Sequence, residues 1–108
     1  DKKITAILQP HLNTRTRDFY KDFADSLSLL DEVILTEIYP AREQPISGVS
    51  SRLIYDYLRP RIEKCICPKE DILNLLSKKS VEVLIVLGAG DLDNYVPSIT
   101  QLLEQQSK

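Results

Sequence analysis

A chain of 108 residues, 43% hydrophobic and 28% charged, is sized for one compact core spanning residues 1–108, and no stretch has the composition of a linker or a disordered tail. Fourteen basic and sixteen acidic side chains are interspersed and leave a net charge of -2, so no single-sign field exists to hold nucleic acid or an anionic membrane. No apolar segment reaches the roughly 20 residues that span a bilayer, and DKKITAIL lacks the apolar core of a signal peptide, which points to a cytoplasmic protein. The chain opens without Met, directly into a strand-like run, as a portion of a longer protein would.

In chain order, ITAIL (4–8) is a short apolar run that predicts a strand. QPHLNTRTRDF follows, with the only histidine, His11, close to Arg15 and Arg17. From Phe19, the residues Phe19, Tyr20, Phe23, Ala24, Leu27 and Leu30 recur at helical spacing, and a helix is expected to begin at about Thr16. EVILTEIY (32–39) is β-branched and stops at Pro40, which predicts a second strand. After PAREQPISGVSS, the stripe Leu53, Ile54, Tyr57 and Leu58 predicts a helix capped by Ser50 or Ser51 and stopped by Pro60.

KCIC (64–67) is a third strand, in which Cys65 and Cys67 share a face with the wrong geometry for a bridge; buried thiols are expected rather than a metal or redox pair. Ile72, Leu75 and Leu76 mark a third helix, with Pro68, Glu70 and Asp71 near its start. VEVLIVL (81–87) is the most apolar run and predicts a central strand buried on both faces. GAGD (88–91) then leads into a last stripe of Leu92, Tyr95, Val96, Ile99, Leu102 and Leu103, disturbed early by Pro97.

Strand alternating with helix four times implies an open α/β sheet of about four mainly parallel strands, with helices on both faces. All parallel strands end along one edge, and ligands bind outside it. There the pattern collects His11, Arg15 and Arg17 after the first strand, Tyr39 and Arg42 after the second, and Gly88, Ala89, Gly90 and Asp91 after the fourth. Each has a plainer competitor: His11 can bond a turn, the arginines can be solvated, and GAGD can be a tight turn with Asp91 as N-cap. Yet two cations at the positive end of a helix are disfavoured unless an anion binds them. GAGD lacks the dinucleotide fingerprint, and no phosphate-loop pattern occurs. The acidic residues Asp22, Asp25, Asp56, Asp93 and Glu104 fall on outer helix faces.

QPH, RTRDF (15–19), YPAREQPISGVSS (39–51) and GAGD together, in order and over nearly the whole chain, resemble the C-terminal domain of the Mur ligases of peptidoglycan synthesis, specifically those that use L-alanine. The resemblance implies a Rossmann-like domain that closes over the nucleotide and helps bind the amino acid, while preceding domains bind UDP-N-acetylmuramate and ATP. It implies that ATP and Mg²⁺ convert the sugar acid into an acyl phosphate, which the amine of L-alanine attacks. Arg15, His11 and Arg17 would lie on the L-alanine or phosphate side, with Tyr39 and Arg42 near them and Gly88 to Asp91 as a nucleotide-proximal turn. No residue of this chain would be catalytic, and none would hold a metal. The family often carries a basic residue directly after the histidine, where this chain has Leu12, and its acidic, histidine-rich segment and phosphate loop would precede Asp1. The competing reading is a freestanding α/β module that binds a small anion or a protein.

Overall fold

The computed structural model describes residues 3–10, 12–38, 43–79, 81–88 and 96–106. Strand and helix alternate as β1 (Ile4–Gln9), α1 (Asn13–Leu27), β2 (Glu32–Leu35), α2 (Ser51–Tyr57), β3 (Glu63–Ile66), α3 (Ile72–Ser77) behind a 3-10 turn, β4 (Val83–Gly88) and α4 (Val96–Gln106). The strands form one sheet in the order β3-β2-β1-β4, and every adjacent pair is parallel.

The alternation of side chains along β1 and β2 divides the core. Ala6, Val33 and Leu35 face Ala24 and Leu27 of α1 and Ile54 of α2, together with Leu58 just beyond it. Ile7 and Ile34 face the opposite way, onto Ile72 and Leu76 of α3 and Ile99 of α4. Helices therefore cover both faces, as the sequence predicts, and a fully buried side chain such as Ile34 contributes about 1.5–3 kcal/mol. Among the described residues no helix is long and apolar enough to cross a membrane.

Four expectations need correction. α1 begins at Asn13, ahead of Thr16, so Arg15 and Arg17 stand inside its first turns; the Leu12 carbonyl accepts from the Thr16 amide at 3.1 Å and from Thr16 Oγ1 at 2.9 Å. Phe19, expected in the apolar stripe, is 48% exposed, and Tyr57 of α2 is 46% exposed, edge-on to the Tyr20 ring at 6.0 Å. β2 stops at Leu35 instead of residue 39, because the Thr36 carbonyl is taken by the Ser51 hydroxyl of α2 rather than by a strand.

The fourth correction concerns β4, which is an edge strand and not a central one. After β3 the chain crosses to the far side of β1, beyond the reach of α1 and α2. Leu84 and Val86 pack on the α3 and α4 side, but Val83, Ile85 and Leu87 are left 36%, 36% and 42% exposed. Cys65 and Cys67 are free, half-buried and packed on the same core cluster. Burial pushes the Cys65 thiol up, and burial with the neighbouring Cys65 and Asp71 pushes Cys67 to about 11, so neither is an activated nucleophile.

Candidate functional site

The carboxyl ends of β1 and β4 are in register, with Gln9 opposite Gly88. Gln9 is buried, and its Oε1 has no hydrogen-bond partner among the described residues. The chain then turns sharply: Leu12 has φ 67 and ψ 138, a left-handed conformation that a side chain with a Cβ rarely adopts. Such strain, of order 1–3 kcal/mol, persists where the surroundings enforce it, and the two Thr16 bonds to the Leu12 carbonyl do so.

Leu12 occupies the N-cap position of α1 and has no side-chain acceptor to offer the first amides of the helix. The acceptor comes from the loop after β2. Glu43 accepts from the Thr14 amide at 3.1 Å and from Thr14 Oγ1 at 2.5 Å, and the Gln44 carbonyl accepts from Asn13 Nδ2 at 3.1 Å. The Thr14 hydroxyl, helped by the Thr14 and Asn13 amides and the charge of Arg17, holds the Glu43 carboxyl below the usual carboxylate range.

The same loop leads into α2, whose cap is Ser50, accepting from the Arg52 amide at 3.1 Å. A cleft of about 230 Å³ opens here between Asn13 of α1, Glu37 and Ile38 after β2, the segment from Val49 to Arg52, and Ile66 of β3. A second depression of about 310 Å³, lined by Leu73, Ser98, Gln101 and Leu102, lies between α3 and α4, and none of these described lining residues is ionisable.

The two arginines differ. Arg17 is engaged by its neighbour, with Nε at 2.9 Å and Nη2 at 3.5 Å from the Asp18 carboxylate, and this pairing raises the Arg17 pKa and lowers that of Asp18. Arg15 is exposed and makes no hydrogen bond or ion pair among the described residues. Of the two, Arg15 is the one left without a partner among the described residues. Of the residues expected at this edge, Arg15, Arg17 and Gly88 are placed there; His11, Tyr39, Arg42, Ala89, Gly90 and Asp91 lie outside the described residues. Glu43 and Thr14 were not expected here, and Ser51, expected as an alternative helix cap to Ser50, instead donates to the Thr36 carbonyl. The sequence held no signal for Glu43: with the helix expected to begin at about Thr16, nothing marked Leu12 as a cap position in need of an acceptor from elsewhere.

No protein-family model matches the chain. Among curated proteins it is 74% identical over 106 residues to the UDP-N-acetylmuramate--L-alanine ligase of Phocaeicola vulgatus, which covers 98% of this chain and 23% of that protein. It is 51% identical over 105 residues to the ligase of the same name from Parabacteroides distasonis, with 97% and 22% covered. To that of Cytophaga hutchinsonii it is 46% identical over 105 residues, again with 97% and 22% covered. The chain thus spans less than a quarter of the length of these relatives, and along nearly all of its own length it is similar to one portion of proteins named UDP-N-acetylmuramate--L-alanine ligase.

Proposed function

We propose that this chain is the C-terminal domain, residues 1–108, of a cytoplasmic enzyme that joins L-alanine to UDP-N-acetylmuramate in peptidoglycan synthesis, and that its carboxyl sheet edge receives the amino acid. The observation that carries this is the 74% identity across 98% of the chain to a ligase of that name. The sugar acid's carboxylate takes the terminal phosphoryl group of ATP, giving ADP and an acyl phosphate. The alanine amine then attacks the acyl carbon and phosphate leaves, forming the amide. Arg15 contributes a planar fork that can hold the alanine carboxylate through two charge-assisted hydrogen bonds, and the first amides of α1 add positive potential. By the same reading His11, Arg17, Tyr39 and Arg42 serve the amino-acid or phosphate side, and Gly88, Ala89, Gly90 and Asp91 serve the nucleotide.

Among the described residues no three of His, Cys, Asp or Glu converge where a metal ion could be held. By the ligase reading, ATP and Mg²⁺ belong to the other domains of the enzyme, which are this domain's partners, and no step at this edge is routed through either. The isolated chain is expected to release no phosphate from ATP in the presence of both substrates.

In the full-length ligase, Arg15→Ala is expected to raise the KM for L-alanine at least about tenfold, since a hydrogen bond to a charged group contributes about 1.5–3 kcal/mol. Steady-state kinetics with L-alanine varied decides the matter. An unaltered KM would remove Arg15 from the site.

A further inference from the structure

We infer that Glu43 is a positioning residue: it locks the loop that follows β2 onto the start of α1 and so sets the direction in which Arg15 is presented to substrate. The inference rests on the reading of Arg15 given above. Its basis is the pair of adjoining clamps. Glu43 holds both the amide and the hydroxyl of Thr14, and the Gln44 carbonyl holds the side chain of buried Asn13, so two consecutive loop residues grip two consecutive helix residues. Arg15 is the next residue along the helix.

The grip is made by a carboxylate for a physical reason. The start of a helix exposes unpaired N–H groups and carries partial positive charge, and here it also carries Arg15 and Arg17. An anion supplied by the protein stabilises this end while leaving the Arg15 guanidinium unpaired. An acid within the helix's own first turn would do the same only by lying close to the arginines along one helix face; α1 has none there. Beyond Gln44 the loop continues to Val49 and enters α2, whose Arg52 lines the cleft with Val49, so the clamp couples that wall to the arginine-bearing helix. Release of Glu43 frees the first turn of α1 and Arg15 with it, which misplaces the cation without removing it.

The test uses the full-length ligase and its kinetics for each substrate. Glu43→Ala is expected to raise the KM for L-alanine about fivefold, in line with the sensitivity of positioned groups to small displacements, with the KM for ATP unchanged. Glu43→Gln, which keeps an acceptor for the Thr14 amide, is expected to show a smaller rise. The double variant Glu43→Ala with Arg15→Ala should be no worse in alanine KM than Arg15→Ala alone, because Glu43 acts through Arg15. Fully additive effects, or an unchanged alanine KM in Glu43→Ala when Arg15→Ala does raise it, would overturn the inference. If Arg15→Ala itself leaves the KM unaltered, the assignment of alanine to this edge fails separately. Hydrogen exchange then decides on the clamp: faster exchange of the Thr14 amide in Glu43→Ala upholds it, and unchanged protection overturns it.

Discussion

At the amino edge of the sheet, the carboxylate of Glu32 is buried at the first residue of β2, and it is fully engaged by the chain itself. It accepts from Thr5 Oγ1 at 3.1 Å and Lys79 Nζ at 2.6 Å and lies 3.7 Å from Lys3 Nζ, which also reaches Glu63 at 3.1 Å. At the carboxyl edge Leu12 holds a strained backbone, and among the described residues neither Arg15 nor the buried side-chain oxygen of Gln9 has a partner. Both edges are polar, so polarity does not distinguish them. What does is whether the polar groups are satisfied internally: saturated groups serve the fold, and those left open at the carboxyl ends of parallel strands are available to a ligand.

The comparison breaks first at its amino side if the Glu32 network is ornamental. Lys79→Met leaves a buried carboxylate with only Thr5 and the more distant Lys3, and is expected to cost about 1.5–3 kcal/mol in urea denaturation. Burial alone would raise the Glu32 pKa, but the hydrogen bonds from Lys79 and Thr5 and the charges of Lys79 and Lys3 outweigh it and hold the carboxyl below its ordinary value. A group depressed on folding stabilises above its unfolded pKa, about 4.3 for Glu, and loses that contribution as pH falls through the folded value. The deficit of Lys79→Met should therefore be full at neutral pH and shrink below about pH 4 as Glu32 takes up a proton. A deficit independent of pH would mean that the lost contact was packing of the lysine stem.

A smaller effect tests the strain at the other edge. Val at position 12 has its β-branch against a positive φ, so Leu12→Val is expected to destabilise by about 1–2 kcal/mol, whereas Gly adopts the conformation freely. For Leu12→Gly, relief of strain is offset by the greater entropy of the unfolded chain and the loss of a half-buried side chain, and the net change should stay within about 1 kcal/mol. Equal losses for the two variants in thermal melts would show that the left-handed turn carries no weight.

Much of the frame was legible because apolar periodicity reports burial directly. ITAIL and the stripe of Ala24 and Leu27 fall where the structure buries them, and KCIC falls on β3 and the residue after it, with both cysteines only half-buried. VEVLIVL misled because a continuous apolar run reads as buried on both sides, while its true place depends on which side of β1 the chain returns to, and that is decided by packing between residues far apart in sequence. At the site, the arginines were visible as cations against a helix dipole, but the pairing of Arg17 with the adjacent Asp18 was not anticipated. Nor was Glu43, because its bond to Thr14 spans 29 residues and only the parallel crossing of β1 and β2 brings the two together.

The smallest expected effect sharpens the comparison most. Arg15 stands at the third residue of α1, where a cation faces the positive end of the helix, and it is exposed with no acceptor among the described residues. Arg15→Ala removes that unfavourable interaction and substitutes the residue of highest helix propensity. Folding stability should therefore stay within about 0.5 kcal/mol of the parent or rise by up to about 1 kcal/mol, measured by urea denaturation at low salt, with any rise shrinking as salt is added. Lys79→Met at the amino edge changes stability in the opposite direction. A loss above about 1 kcal/mol for Arg15→Ala would show that the guanidinium holds the fold, and the distinction between a saturated edge and an open one would no longer stand on this residue.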